Sequence, residues 1–366
     1  MKIELREMSF PNETHWFHPS FCSWNGKLLF AAQEYLGSDY YGAPFYAVGK
    51  SPEEPFPAPD PIPSFAVSET PDGLLRRVFD VRIFDLGNGV AAAFGCAGVR
   101  TKDGQMVPVA VRPPGKAVCT FLYPDGSWSP MHILDIAGET DWLRTACTQI
   151  CPCGKDEWIV PFYAVKGTCM FAGEVSQHFY VITAKYRFDG KKLVFAEKGN
   201  ELEIEAGRGF VEPSIIAADN GAFYLTLRAE DGRGYTAASQ DGLHWGPPVP
   251  WHWEDGNCLE MSSTQQHWMR LGKKIFLVYT RKAEDNGHLM RFRAPLFAAE
   301  ADPARGVLKR DTERVVIPRQ QIEGEDGLMG NFHVAPLGND RALVSDAAMF
   351  YKHQADRLMV ADVRAD

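Results

Sequence analysis

The sequence predicts an all-β protein folded as a six-bladed β-propeller, and three observations carry that expectation. Turn signals built from Gly, Asn and Asp separate short apolar runs along the whole chain. The runs fall into six units with one grammar, an apolar strand, a tight turn and a second apolar strand. No stretch keeps a helical period for more than a few residues. A five-bladed propeller with an appended sheet is the alternative, because ring closure leaves no mark in a repeat pattern.

The units follow in order. The first runs from Pro19 to Ala32 and turns at Asn25-Gly26, and the second runs from Val81 to Gly95 and turns at Asn88-Gly89. The third, Thr148 to Tyr163, turns at Gly154. The fourth, Pro213 to Arg228, turns at Asp219-Asn220-Gly221, a strong hairpin signal between β-rich runs. The fifth, Gln266 to Arg281, turns at Gly272, and the sixth, His333 to Ser345, turns at Gly338. A spacing of roughly 60 residues leaves room for about four short strands per unit, so one propeller domain over residues 1–366 is expected. Asp125-Gly126 and Asp189-Gly190 read as outer hairpins. The run from Ser51 to Pro63 carries too much Pro for an inner strand and reads as an extended connection between the first two blades.

Composition narrows the function. Hydrophobic residues at 45% and charged residues at 23% are ordinary for a globular protein. A net charge of −9 without a basic patch argues against a nucleic-acid partner. The N-terminus, Met1-Lys-Ile-Glu-Leu-Arg-Glu-Met8, has no apolar signal region, and no run approaches the roughly 18 apolar residues of a membrane span. Eight scattered Cys suggest buried reduced thiols, so a cytoplasmic protein without a membrane partner is expected. Cys151-Pro152-Cys153 is a poor zinc spacing, and neither a metal nor another cofactor is expected. Nine Trp and an aromatic share of 12% would suit stacking on sugars. Oligomeric state leaves no trace in the sequence.

Polar residues just before or after each inner hairpin should converge on one rim of the channel. These are His18 and Asp39 in blade one, Asp80 and Arg82 in blade two, and Arg144 in blade three. Blade four offers Glu212, Arg228 and Tyr235. Blade five offers His267, Arg281, His288, Arg291 and Arg293, and blade six offers His333. Glu212 stands out, since an acid before an apolar inner strand must face the channel or be paired. Carboxylates, imidazoles and guanidiniums on one rim suit sugar hydroxyls and carboxylates, so a carbohydrate substrate is expected.

Glu212-Pro213-Ser214, followed sixteen residues later by Arg228, resembles the pattern of the sialidase (neuraminidase) superfamily. Ser239-Gln-Asp241-Gly242-Leu-His-Trp245 is similar to that family's Asp-box turn, one residue shorter. The resemblance implies a six-bladed fold with a glycosidase site at the rim. It also has departures. Where sialidases carry an Arg in the first blade, this chain has Phe17-His18-Pro19, and Gly330-Asn331-Phe332-His333 holds no Tyr where the family's nucleophile falls. A sialidase-like propeller that is not a sialic-acid hydrolase is therefore expected. A fainter resemblance, of Asp80-Val81-Arg82 to mannoside- and arabinan-acting propellers, accompanies the five-bladed alternative.

The sequence thus points to a glycoside hydrolase acting on a terminal sugar of a glycan, with Glu212 and either Asp39 or Asp80 as the carboxylate pair. Two other readings stand beside it. In a uronate lyase, His18, His267, His333 or Tyr235 would act as base and Arg228 would neutralise the acid group. In a non-catalytic propeller, the same rim would bind a glycan or a protein.

Overall fold

A computed structural model describes residues 1–11, 14–37 and 40–366. Among the described residues six main sheets stand around a channel, antiparallel except where His252–Trp253 runs parallel to Val307–Leu308, and all six inner hairpins fall at the turns expected from the sequence. The innermost strands are Trp16–Trp24, Leu75–Gly87, Cys151–Gly154, Val211–Ala217, His267–Leu271 and His333–Pro336. Each pairs antiparallel with the strand that follows it.

The ring closes with six blades. The N-terminal strand Lys2–Met8 pairs with Ala355–Arg364 and supplies the outer strand of the blade that begins at His333. The amino group of Met1 forms an ion pair with Asp366 beside this seam. The run of prolines is mostly an irregular connection, as its composition requires. Asp60–Pro61 is an exception and forms a two-residue outer strand against Phe45 and Tyr46. Pro is tolerated there because an edge strand has no outward neighbour awaiting its N–H.

The strands are apolar on both faces for a structural reason. Six hydrophobic clusters fill the six spaces between neighbouring blades, so each sheet is covered on both sides. Phe21 and Phe30 of blade one meet Leu343 and Leu358 of blade six. Phe94 and Phe121 of blade two meet Val160 and Phe162 of blade three. At roughly 25 cal/mol per Å² of apolar surface removed from water, these clusters are the main source of cohesion between blades.

The shortened Asp-box folds as a hydrogen-bonded turn. Ser239 Oγ donates to Asp241 Oδ1 at 2.8 Å and accepts from Gly242 N at 3.0 Å. The N–H groups of Leu243 and His244 each reach Asp241 Oδ1 at 2.8 Å. Burial works against the Asp241 charge, but these donors and the His244 ring hold its carboxyl below the usual range. Trp245 closes the turn, packing inward with Nε1 donating to Thr183 Oγ1 at 2.9 Å.

The cysteines depart in part from expectation. All eight are free, and most are buried, but Cys153 and Cys169 are half-buried and Cys258 is exposed. Cys151 and Cys153 occupy a strand edge in blade three, consistent with a structural role for the pair.

Candidate active site at the channel mouth

One backbone device repeats ahead of the inner hairpins. In blades one, two and four, the ladder shifts register between Phe17 and Ser20, Phe79 and Arg82, and Val211 and Ser214. Each shift contains a residue in the left-handed region: His18 at φ 55°, Asp80 at φ 57° and Glu212 at φ 49°. Cys147 of blade three matches them at φ 55°. Non-glycine residues seldom adopt this conformation, which costs on the order of 1 kcal/mol. A bulge of this kind re-aims a side chain out of the sheet, and its recurrence marks the mouth as a built feature.

Aligning the blades on this device gives two rings. The mouth ring is His18, Asp80, Cys147, Glu212, Gln265 and Asn331. Two residues further along the chain come Ser20, Arg82, Gln149, Ser214, His267 and His333, which enter the strands and line the channel.

The mouth ring brings three side chains onto one point. His18 Nδ1 lies 3.3 Å from Asp80 Oδ1 and 3.6 Å from Cys147 Sγ. Gln33 Oε1 accepts from the Asp80 backbone N–H at 2.6 Å, and its Nε2 donates to Val78 O at 2.8 Å, bracing the bulge. Gly95 lies opposite, where a Cβ would come within 2.6 Å of Val78 Cγ1. Burial, reinforced by Arg82 and Arg293, pushes the His18 imidazole well below its ordinary value and keeps it neutral. Burial also pushes the Cys147 thiol well up, with Arg82 opposing.

Beside this cluster sits the Glu212–Arg228 pair, with Arg228 Nη1 2.8 Å from both carboxylate oxygens. Arg228 Nε also reaches Ser263 Oγ at 3.3 Å. Glu230 approaches Arg228 at 3.8 Å and binds Arg208. Tyr163 is fully enclosed, and burial raises its hydroxyl well above the ordinary value. Arg144 lies over the rings of Phe179 and Tyr163, with Cζ at 4.9 and 5.9 Å from their centroids.

The mouth is rich in guanidinium. Burial and the charges of Arg228, Arg293 and Arg208 lower Arg291, while burial, Arg144 and Arg100 lower Arg112. Glu230 opposes the shift of Arg291. On a chain of net charge −9, this concentration of arginine favours an anionic ligand.

The sequence-derived residues divide into three groups. His18, Asp80, Arg144, Glu212, Arg228, Arg291 and Arg293 meet at the mouth. Arg82, His267 and His333 line the channel below it and are buried. Arg82 was expected to bind substrate, but it ties blades together. Its Nη1 donates to His18 O at 3.2 Å and Val81 O at 3.1 Å, and its Nη2 donates to Asn331 O at 2.9 Å and Phe332 O at 3.4 Å. His267 Nδ1 lies 2.7 Å from Ser214 Oγ, and His333 Nδ1 lies 3.2 Å from Ser20 Oγ.

The third group is held elsewhere. Arg281 is engaged by Glu313 through Nε at 2.8 Å and Nη2 at 2.6 Å. His288 Nε2 lies 3.0 Å from Asp326 on an exposed surface, and the Tyr235 hydroxyl donates to Asp231. Asp39 lies outside the described residues. Sequence reasoning overlooked Cys147, although it stands two residues before Gln149 just as His18 precedes Ser20.

With the blade count and the mouth in view, the class is plain: this is a six-bladed propeller of the sialidase-like type. No family model matches the sequence, and no curated protein matches it either. Solved structures do. A protein of unknown function from Dyadobacter fermentans aligns over 100% of this chain and 99% of its own, at a TM-score of 0.63 and 14% identity. Trypanosoma rangeli sialidase aligns over 99% of this chain at a TM-score of 0.63 and 12% identity. A mutant of the NanB sialidase from Streptococcus pneumoniae aligns over 96% of this chain and 68% of its own, at a TM-score of 0.60 and 10% identity. This chain spans 59% of the Trypanosoma enzyme's length. At these identities the likeness is one of fold.

Proposed function

We propose that the protein is a glycoside hydrolase that removes a terminal, negatively charged sugar from a glycan. The observation that carries this reading is the Glu212–Arg228 ion pair standing beside Asp80 in an arginine-rich mouth. Hydrolysis of a glycosidic bond uses two carboxyl groups flanking the scissile bond, and Asp80 and Glu212 are the pair this mouth offers. Arg144, Arg228, Arg291 and Arg293 would hold the acid group of the sugar, since guanidinium pairs well with carboxylate. Structural neighbours described as sialidases, one in complex with sialic acid, add support for an anionic sugar.

A second reading has its own observation. The neutral His18 beside these arginines suits a lyase that draws a proton from the carbon next to a uronate carboxylate. Incubation with a panel of sialylated and uronate-containing oligosaccharides separates the two. Release of a free acidic sugar supports the hydrolase, and an ultraviolet-absorbing unsaturated product supports the lyase. Binding without turnover, unchanged in Glu212→Gln, would overturn both and leave a recognition module.

A further inference from the structure

We propose that His18, Asp80 and Cys147 form a metal site at the channel mouth, built for zinc and left with an open coordination position. The inference stands on the geometry of three side chains, and a bound ion would take Asp80 out of the carboxylate pair of the glycosidase reading. Each ligand comes from a different blade, and each backbone is left-handed two residues before a channel-lining residue. The three donor atoms lie within 4.8 Å of one another.

The spacing fits tetrahedral coordination. Zinc–sulfur and zinc–nitrogen bonds of about 2.3 and 2.0–2.1 Å at the tetrahedral angle place sulfur and nitrogen about 3.6 Å apart, and nitrogen and carboxylate oxygen about 3.3 Å apart. The corresponding separations here are 3.6 Å and 3.3 Å.

The three side chains share one centre, and Arg82 Nη2 also reaches Cys147 Sγ, at 3.6 Å. Both Cys147 Sγ and Asp80 Oδ1 converge on one nitrogen, His18 Nδ1. A cation at their centre answers all three. The charges also fit: a divalent ion with one thiolate, one carboxylate and one neutral imidazole is neutral as a unit. It can therefore sit near Arg82, whose guanidinium is already spread over backbone carbonyls.

The donor set selects the ion. Thiolate and imidazole favour zinc over magnesium or calcium, which prefer oxygen shells. Three protein ligands are the complement of sites that keep a fourth position for water or substrate. His18 and Cys147 are buried, whereas the Asp80 side chain is 27% exposed, so the open position faces the mouth beside Glu212 and Arg228.

The test reads metal binding directly. The full chain, stripped with a chelator, is titrated with Zn(II) against a chromophoric competitor and separately with Co(II). The expected result is one equivalent bound and a thiolate-to-cobalt charge-transfer band. That band should vanish in Cys147→Ser and persist in Cys258→Ser, which changes an exposed thiol. His18→Ala and Asp80→Asn should weaken zinc by more than the roughly 10- to 100-fold that even outer-shell changes cost. Absence of stoichiometric binding in the wild type, or a band that survives Cys147→Ser, would overturn the proposal. Should Cys147→Ser fail to fold, the wild-type cobalt spectrum decides: without a thiolate band the site is not the one described.

Discussion

The mouth ring and the channel ring lie two residues apart on the same strands, yet they are built for different ends. The channel ring is polar but occupied with the protein's own groups. Ser214 meets His267, Ser20 meets His333, and Gln149 brackets Trp268, accepting from its N–H and donating to its carbonyl. The mouth ring is left-handed at His18, Asp80, Cys147 and Glu212 where the channel ring is not, and it gathers these side chains with His18 and Cys147 buried and Asp80 and Glu212 partly exposed. Polar residues two positions apart thus give a brace in one case and a candidate site in the other. The bulge makes the difference.

Two substitutions should break the comparison most sharply. Glu212→Gln keeps the shape of the mouth but removes its charge. On the proposed hydrolase reading, turnover should fall by roughly 10²- to 10⁴-fold, as for loss of an acid–base group. Stability should fall as well, because the buried Arg228 guanidinium loses its carboxylate partner. Arg82→Met should act mainly on stability. It strips donors from the carbonyls of His18, Asn331 and Phe332, and each buried acceptor left unsatisfied costs roughly 1–3 kcal/mol. Urea titration would show that loss, and an unchanged midpoint would mean Arg82 is not the tie between blades one, two and six.

The parts of this molecule that are local in sequence were legible, and those that depend on distant partners were not. Asn25-Gly26, Asn88-Gly89 and Asp219-Asn220-Gly221 fix their hairpins through backbone conformations few other residues accept, so the blades could be read from them. Glu212 and Arg228 were legible because they flank one hairpin. Arg281 and His288 looked equally suited to the rim, but their partners Glu313 and Asp326 lie more than thirty residues away. Cys147 was overshadowed by the adjacent Cys151-Pro152-Cys153, and its signal appears once all six strands are aligned at their first step. Closure by Lys2–Met8 pairs the two ends of the chain, which no local pattern encodes.

A third region sharpens the contrast between the rings, because Asp346 is a buried acid close to both. It accepts from Gly330 N at 2.7 Å and from Ala347 N at 2.8 Å, yet burial pushes its pKa up to about 7 from the ordinary 3.8. In the unfolded chain this proton leaves near pH 4, while in the folded chain it stays until about 7. The folded state binds the extra proton between these limits, so the Asp346 contribution lowers stability as pH rises through that window. At 1.36 kcal/mol per pH unit the loss reaches about 4 kcal/mol at most. The neutral buried histidines act in the opposite sense, since their stabilising effect is lost as pH falls through the ordinary imidazole value. The informative quantity is therefore wild type minus Asp346→Asn. That difference should fall between pH 4 and 7 and be flat above; a flat difference throughout would mean the acid is ionised in the fold.

The smallest expected effect tests the comparison most finely. Ser214 lies two residues from Glu212, on the same strand, and its Oγ is the partner of His267 Nδ1 at 2.7 Å. Ser214→Ala leaves that buried nitrogen without its hydroxyl, which should cost roughly 1–2 kcal/mol in urea unfolding. Because the channel ring acts through packing and hydrogen bonds between blades, the variant should bind substrate with nearly unchanged KM. Its turnover should fall far less than in Glu212→Gln. A loss of turnover as deep as that of Glu212→Gln, with stability intact, would place the channel ring inside the chemistry. The boundary between brace and site would then lie one step deeper than the bulge.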